Sequence, residues 1–234
     1  MPKRIKKRTI IEKGALNLED ETLLAPSINK KNKLAGYKSK LDCLYQQFAH
    51  QIIPNSGPVE KARVLFNWLW KVKPSRYRPQ GNSRLGDVID AQLSKDSQTV
   101  GNCLGLTLLY NCLLRKMEIN AEALYLENAF GIGPHVLTLL QIEEFLIDIE
   151  NILPNGFDYK GHFDNSTRTR WGDRELVADI YHSLGNEFFE KGQWSEALKS
   201  YDMAIYLNPQ YEKARLNKAI LIDKMGREKE KKRK

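Results

Sequence analysis

Between residues 36 and 120 the apolar positions recur at helical spacing. Leu41, Leu44, Tyr45, Phe48 and Ile52 fall on one face, and Pro54 stops that helix because it lacks an N–H and its ring clashes with the preceding turn. Pro58 opens the next helix, in the first turn, where N–H groups have no intrahelical acceptor. Its stripe is Val59, Ala62, Leu65, Phe66 and Leu69. Pro74 and Pro79 then impose an irregular basic loop, and residues 85–93 read as a short helix. Gly101 and Asn102 precede a longer helix over residues 104–117, with Leu106, Leu109, Tyr110, Leu113 and Leu114 on its buried face.

After Asn120 the period changes from 3.6 to 2. Residues 121–126 fit a strand, 131–134 a Gly/Pro loop, and 135–140 a near-continuous apolar run of the kind buried on both faces of a sheet. Phe145, Ile147 and Ile149 alternate with Leu146, Asp148 and Glu150, the pattern of a half-buried strand. Pro154, Asn155 and Gly156 end it. Helices followed by antiparallel strands predict the α+β class, with a sheet of about three to five strands. From Arg174 the chain is helical again: two long helices parted by Lys191, Gly192 and Gln193, then a third over residues 210–225.

Composition adds limits. The 234 residues are 41% hydrophobic and 28% charged, as in ordinary globular proteins. No apolar run reaches the ~18 residues of a membrane span. The early basic cluster is followed by Glu12 and Lys13 rather than the apolar stretch of a secretory signal. Cys43, Cys103 and Cys112 form neither a closed disulfide set nor a C-x-x-C pair, so a reducing, cytoplasmic compartment is expected. The net charge of +8 is concentrated at the ends, five basic groups in residues 3–8 and +4 over residues 227–234, leaving −1 between. Nucleic acid is therefore not an expected partner, and residues 1–35 read as a basic mobile arm.

Residues 178–211 resemble the ~34-residue tetratricopeptide repeat. Tyr181, Leu184, Gly185, Phe188, Ala197, Tyr201, Ala204 and Pro209 stand at its large, small and terminating positions. Gly185 and Ala197 are small where two antiparallel helices cross. Shifting by one repeat carries Gly185 onto Ala219 and Gly192 onto Gly226, so about one and a half repeats occupy residues 174–234. So few repeats do not stand alone. The first repeat helix is expected to pack on the preceding domain through Tyr181, Leu184 and Phe188, with a protein partner on these helices as the competing use.

The candidate chemistry centres on Cys103, where a loop becomes a helix. A thiolate there meets the positive end of the helix dipole, and the backbone N–H of Cys103 can face a developing oxyanion. Cys112 reads as core and Cys43 as an isolated helix residue. A thiol nucleophile needs a base, and His135 opens the buried strand. The base needs an orienting acid, and Asp148 lies in the next strand, with Glu150 in reserve. A turn centred on Gln141 and Ile142 sets Asp148 opposite His135. One centred on Ile142 and Glu143 sets Glu150 opposite, with Asp148 on the diagonal. One on Glu143 and Glu144 carries Asp148 four residues out of register. His50, His162 and His182 stand apart from carboxylates at ligand spacing, and neither a metal nor another cofactor is expected.

The segments "ARVLFNWLW", "RLGDVIDAQL", "GNCLGLTLLYNCLLRKMEINAEALYL", "PHVLTLL" and "FLIDIEN" resemble the transglutaminase-like superfamily, which shares the papain-type fold. The resemblance implies a domain over residues 36–165 with a Cys103, His135 and Asp148 triad. It further implies thiol acyl chemistry on amide bonds of a protein or peptide substrate, of the peptidase, deamidase or transglutaminase type. The alternative is a non-catalytic interaction module that reuses the fold.

Overall fold

The computed structural model describes residues 17–25 and 31–231. Five helices come first: α1 (Leu18–Leu24), α2 (Lys31–Ala49), α3 (Pro58–Val72), α4 (Leu85–Leu93) and α5 (Cys103–Lys116). Strands β1 (Ala121–Ala129), β2 (Gly133–Ile142), β3 (Phe145–Ile149) and β4 (Thr169–Trp171) follow, then α6 (Asp173–Glu190), α7 (Trp194–Leu207) and α8 (Glu212–Lys231). The strands form one sheet in the order β3-β2-β1-β4, every neighbouring pair antiparallel. The molecule is thus mixed α/β, with helices leading into an antiparallel sheet and a helical C-terminal part, as the periodicities predict.

Helix α5 is the central support. Eleven of its fourteen residues are buried, so it is apolar nearly all round, as a helix enclosed on every side must be. The Tyr110 hydroxyl donates to the Ala62 carbonyl at 2.7 Å, which fixes α5 against α3. A polar seam fixes α5 against the sheet. Thr138 of β2 donates to the Asn111 side chain at 2.6 Å, and the Asn151 amide donates to Thr138 Oγ1 at 2.9 Å and to Thr107 Oγ1 at 3.3 Å. All four residues are buried. Such groups are tolerated in a core only when paired, so the seam sets which residues of helix and strand lie side by side.

Three differences from the sequence reading have physical causes. The described part of residues 1–35 is not a mobile arm: Leu18 and Leu23 of α1 are fully buried and join the main core, while Lys38 pairs with Asp20. Residues 1–16 and 232–234, which hold most of the basic tail charge, lie outside the described residues. Strand β4 is a three-residue strand, too short for a period. It is held by Trp171 stacked flat on Tyr125 of β1, centroids 4.0 Å apart. Phe145 and Leu146 are both exposed, because β3 is an edge strand and they lie beside its hairpin turn.

The C-terminal helices do not form a separate body. Leu176, Val177, Ala178 and Ile180 of α6 are fully buried in the same apolar cluster as α1, α3, α5 and the inner face of the sheet. Tyr181, Leu184 and Phe188 also pack there, as expected for a repeat helix docked on the preceding domain. Arg115 of α5 grips Asp173 with both terminal nitrogens, at 2.7 and 2.5 Å, and Arg84 pairs with Glu187. Helix α8 packs mainly on α7 and leaves Leu216, Ile220 and Ile222 exposed.

Candidate functional site

Cys103 is the first residue of α5. Asn102 caps the helix in an extended conformation, its side chain accepting from the Gly105 N–H at 3.0 Å. The remaining first-turn N–H groups have no partner within the helix. The backbone of Asn82 crosses this turn: its carbonyl accepts from the Asn102 N–H at 3.1 Å, and its side chain donates to the Val100 carbonyl. A Cβ on Gly105 would collide with that carbonyl and with Val88, so only glycine lets the crossing segment lie this close. Cys103 is partly accessible, Cys43 is exposed, and burial pushes the Cys112 thiol up to about 12. Of the three thiols, Cys103 alone combines access with a helix N-terminus.

His135 stands on β2, opposite Leu126 of β1. On the other side the register pairs Ile142 with Phe145 and Leu139 with Asp148, so the β2–β3 turn is Glu143 and Glu144. Asp148 is therefore four positions from His135 along β2 and does not orient it. It pairs instead with Arg168, at 2.6 and 3.1 Å. Glu150 takes the place beside the imidazole, its two carboxylate oxygens 2.9 and 2.8 Å from His135 Nε2. The sequence reading placed Asp148 first and Glu150 second; the geometry reverses that order.

With Nε2 committed to Glu150, Nδ1 is the nitrogen left for the thiol. Cys103 is close enough to His135 to raise its pKa. Burial works to lower the His135 pKa, but the hydrogen bonds and charges of Cys103 and Glu150 outweigh it and carry the pKa up to about 10. Burial likewise works to raise Glu150, but His135 and His162 hold it below the usual carboxylate range. The structure thus holds His135 against a buried carboxylate and sets the Cys103 thiol at the N-terminus of α5.

The structure adds residues that the sequence reading passed over. His162, from the loop between β3 and β4, is buried with Nε2 3.0 Å from Glu150 Oε2. Arg168 holds that loop, donating to the His162 carbonyl at 3.0 Å while it grips Asp148. Phe130, in the β1–β2 turn, sets its ring against both imidazoles, with centroids 5.6 Å from His135 and 4.7 Å from His162. Tyr77 bridges to Gly101, two residues before Cys103, and its pKa is raised first by burial and then by the charges of Cys103 and Glu150. His135, Glu150 and His162 offer three donor atoms within 4.8 Å of one another. The sequence reading, which judged ligand spacing along the chain, expected no such set; the fold brings it together from β2, the residue that follows β3 and the loop beyond it.

The tetratricopeptide repeat family model matches residues 178–211, which are α7, most of α6 and the turn that follows α7. No curated protein and no solved structure matches the chain significantly. Among the described residues no helix is long and apolar enough to cross a membrane.

Proposed function

We propose that this protein is a thiol-dependent acyl-transfer enzyme acting on amide bonds of a protein or peptide, built on a domain of the transglutaminase-like kind. The observation that carries the reading is the buried Glu150 carboxylate held on His135 Nε2, with the Cys103 thiol at the N-terminus of α5 and near enough to raise the pKa of the same imidazole. His135 Nδ1 takes the thiol proton, and the sulfur attacks the amide carbon. The carbonyl oxygen gains negative charge beside the Cys103 N–H and the positive end of α5. Collapse breaks the C–N bond, His135 returns the proton to the departing amine, and a thioester remains on Cys103. Water then releases an acid, or an amine forms a new amide. Glu150 accepts from the Nε2–H of His135 and fixes that proton in place, so that Nδ1 is the nitrogen that holds the thiol's proton and hands it to the leaving amine.

The test is covalent labelling of the full chain at pH 7 with a peptide-based amide electrophile, mapped by mass spectrometry. Cys103 is expected to react roughly tenfold or more faster than Cys43. The E150Q variant is expected to slow Cys103 while leaving Cys43 unchanged. Equal labelling of the two thiols would defeat the enzyme reading.

A second reading, a protein-interaction module, is favoured by the repeat match and by the exposed Leu216 and Ile220 on α8. Repeat helices of this kind commonly present such faces to protein partners. Under this reading a copurifying protein would be lost with a Leu216→Glu, Ile220→Glu double variant and retained with Cys103→Ala. Retention by the double variant would count against it.

A further inference from the structure

We propose that His135, Glu150 and His162 form a binding site for a single divalent ion of the zinc class, and that its occupancy silences the Cys103 thiol.

A triad accounts for only part of this cluster. One imidazole beside the carboxylate is enough to orient a base. Here a second buried imidazole presents the same nitrogen, Nε2, to the same carboxylate oxygen, at 3.0 Å against 2.8 Å for His135. Burying a further polar ring costs free energy that the orientation of His135 does not require. Two imidazole nitrogens and one carboxylate oxygen are a donor set that suits zinc, cobalt and iron, with a fourth position left to solvent.

The dimensions agree. Around a tetrahedral ion with bonds of ~2.0–2.1 Å, neighbouring donors stand about 3.3 Å apart. The two Nε2–oxygen separations would have to open by roughly 0.4 Å on that geometry. The ion takes the place of the two Nε2 protons, which leave to solvent. The donors sit on a firm frame: His135 within β2, Glu150 immediately after β3, and His162 on a loop clamped by Arg168. Phe130 covers both rings from the β1–β2 turn. The Cys103 sulfur is not one of the donor atoms gathered there, so it is not among the ligands.

Ion binding does not depend on the acyl-transfer reading; the silencing does. An imidazole whose Nε2 carries a dication is a poor base at Nδ1, and the thiol loses its proton acceptor.

The full chain, freed of metal by chelator and desalted, is titrated with zinc by calorimetry and with cobalt by visible absorption. One ion per chain is expected, with cobalt showing the weak bands of nitrogen and oxygen ligands and no sulfur charge-transfer band. Cys103→Ser is expected to bind like the parent, and His162→Gln to bind roughly 100-fold more weakly. Zinc is expected to slow alkylation of Cys103 in the parent and to leave His162→Gln unaffected. Absence of saturable uptake by the parent, unchanged uptake by a folded His162→Gln, or loss of binding in Cys103→Ser would each overturn the site. The parent's cobalt spectrum decides the ligand set without any variant. Binding with no slowing of alkylation would overturn the silencing. Failure of selective Cys103 labelling in metal-free protein would instead overturn the enzyme reading.

Discussion

At the scale of single residues, the exchange of Asp148 for Glu150 shows how chemistry and register divide the work. The types needed for the site, a thiol at a helix start and an imidazole on a strand, were legible in the sequence. Which carboxylate meets the imidazole depends on where β2 turns into β3, and a shift of one residue exchanges the faces of a strand. The polar pair Glu143 and Glu144 between Ile142 and Phe145 was the available signal. Asp148 then serves at one remove, holding Arg168 and through it the loop of His162. Glu150→Gln is therefore expected to slow Cys103 labelling more than Asp148→Asn, measured side by side at neutral pH. Gly105→Ala is a sharper test of position. Its Cβ collides with the Asn82 carbonyl, so the variant should lose roughly 1–3 kcal/mol in denaturant unfolding, and its Cys103 should label more slowly because the first turn of α5 must shift.

At the scale of elements, the helices were readable because their stripes are long, and β1 and β2 because their apolar runs are bounded by turn residues. Strand β4 was not, since three residues carry no period and its place is set by the Trp171–Tyr125 stack. The pairing of α5 with the sheet was equally hidden. Asn111, Thr138 and Asn151 look like incidental polar residues until they meet in the core. Thr138→Val leaves two buried amides short of a partner and is expected to cost about 1–3 kcal/mol, measurable as a lowered midpoint in urea. A valine variant that melts like the parent would show that the seam is relieved by another partner. Because α5 carries Cys103 and β2 carries His135, the same variant should also loosen their contact.

At the scale of the whole molecule, the sequence reads as a domain followed by repeats, yet one apolar core runs through both. Deleting everything after Trp171 removes Leu176, Val177, Ala178 and Ile180 from that core. At ~25 cal/mol per Å² of apolar area the loss amounts to several kcal/mol. The truncated protein is expected to melt well below the full chain. Coincident melting curves would show that the repeat helices are dispensable to the core.

The shared helix α6 also imposes an order on synthesis. A ribosome that has just joined Trp171 has already incorporated Cys103, His135, Glu150 and His162, so every reactive atom of the site exists. The apolar core that supports their frame is still incomplete, because α6 is still to be made. On the acyl-transfer proposal, the nascent chain therefore carries the nucleophile before it has the geometry to use it. On that reading the site is complete only when α6 has cleared the exit tunnel and docked on the shared core. The helix that begins the repeat thus also sets the moment at which the site matures.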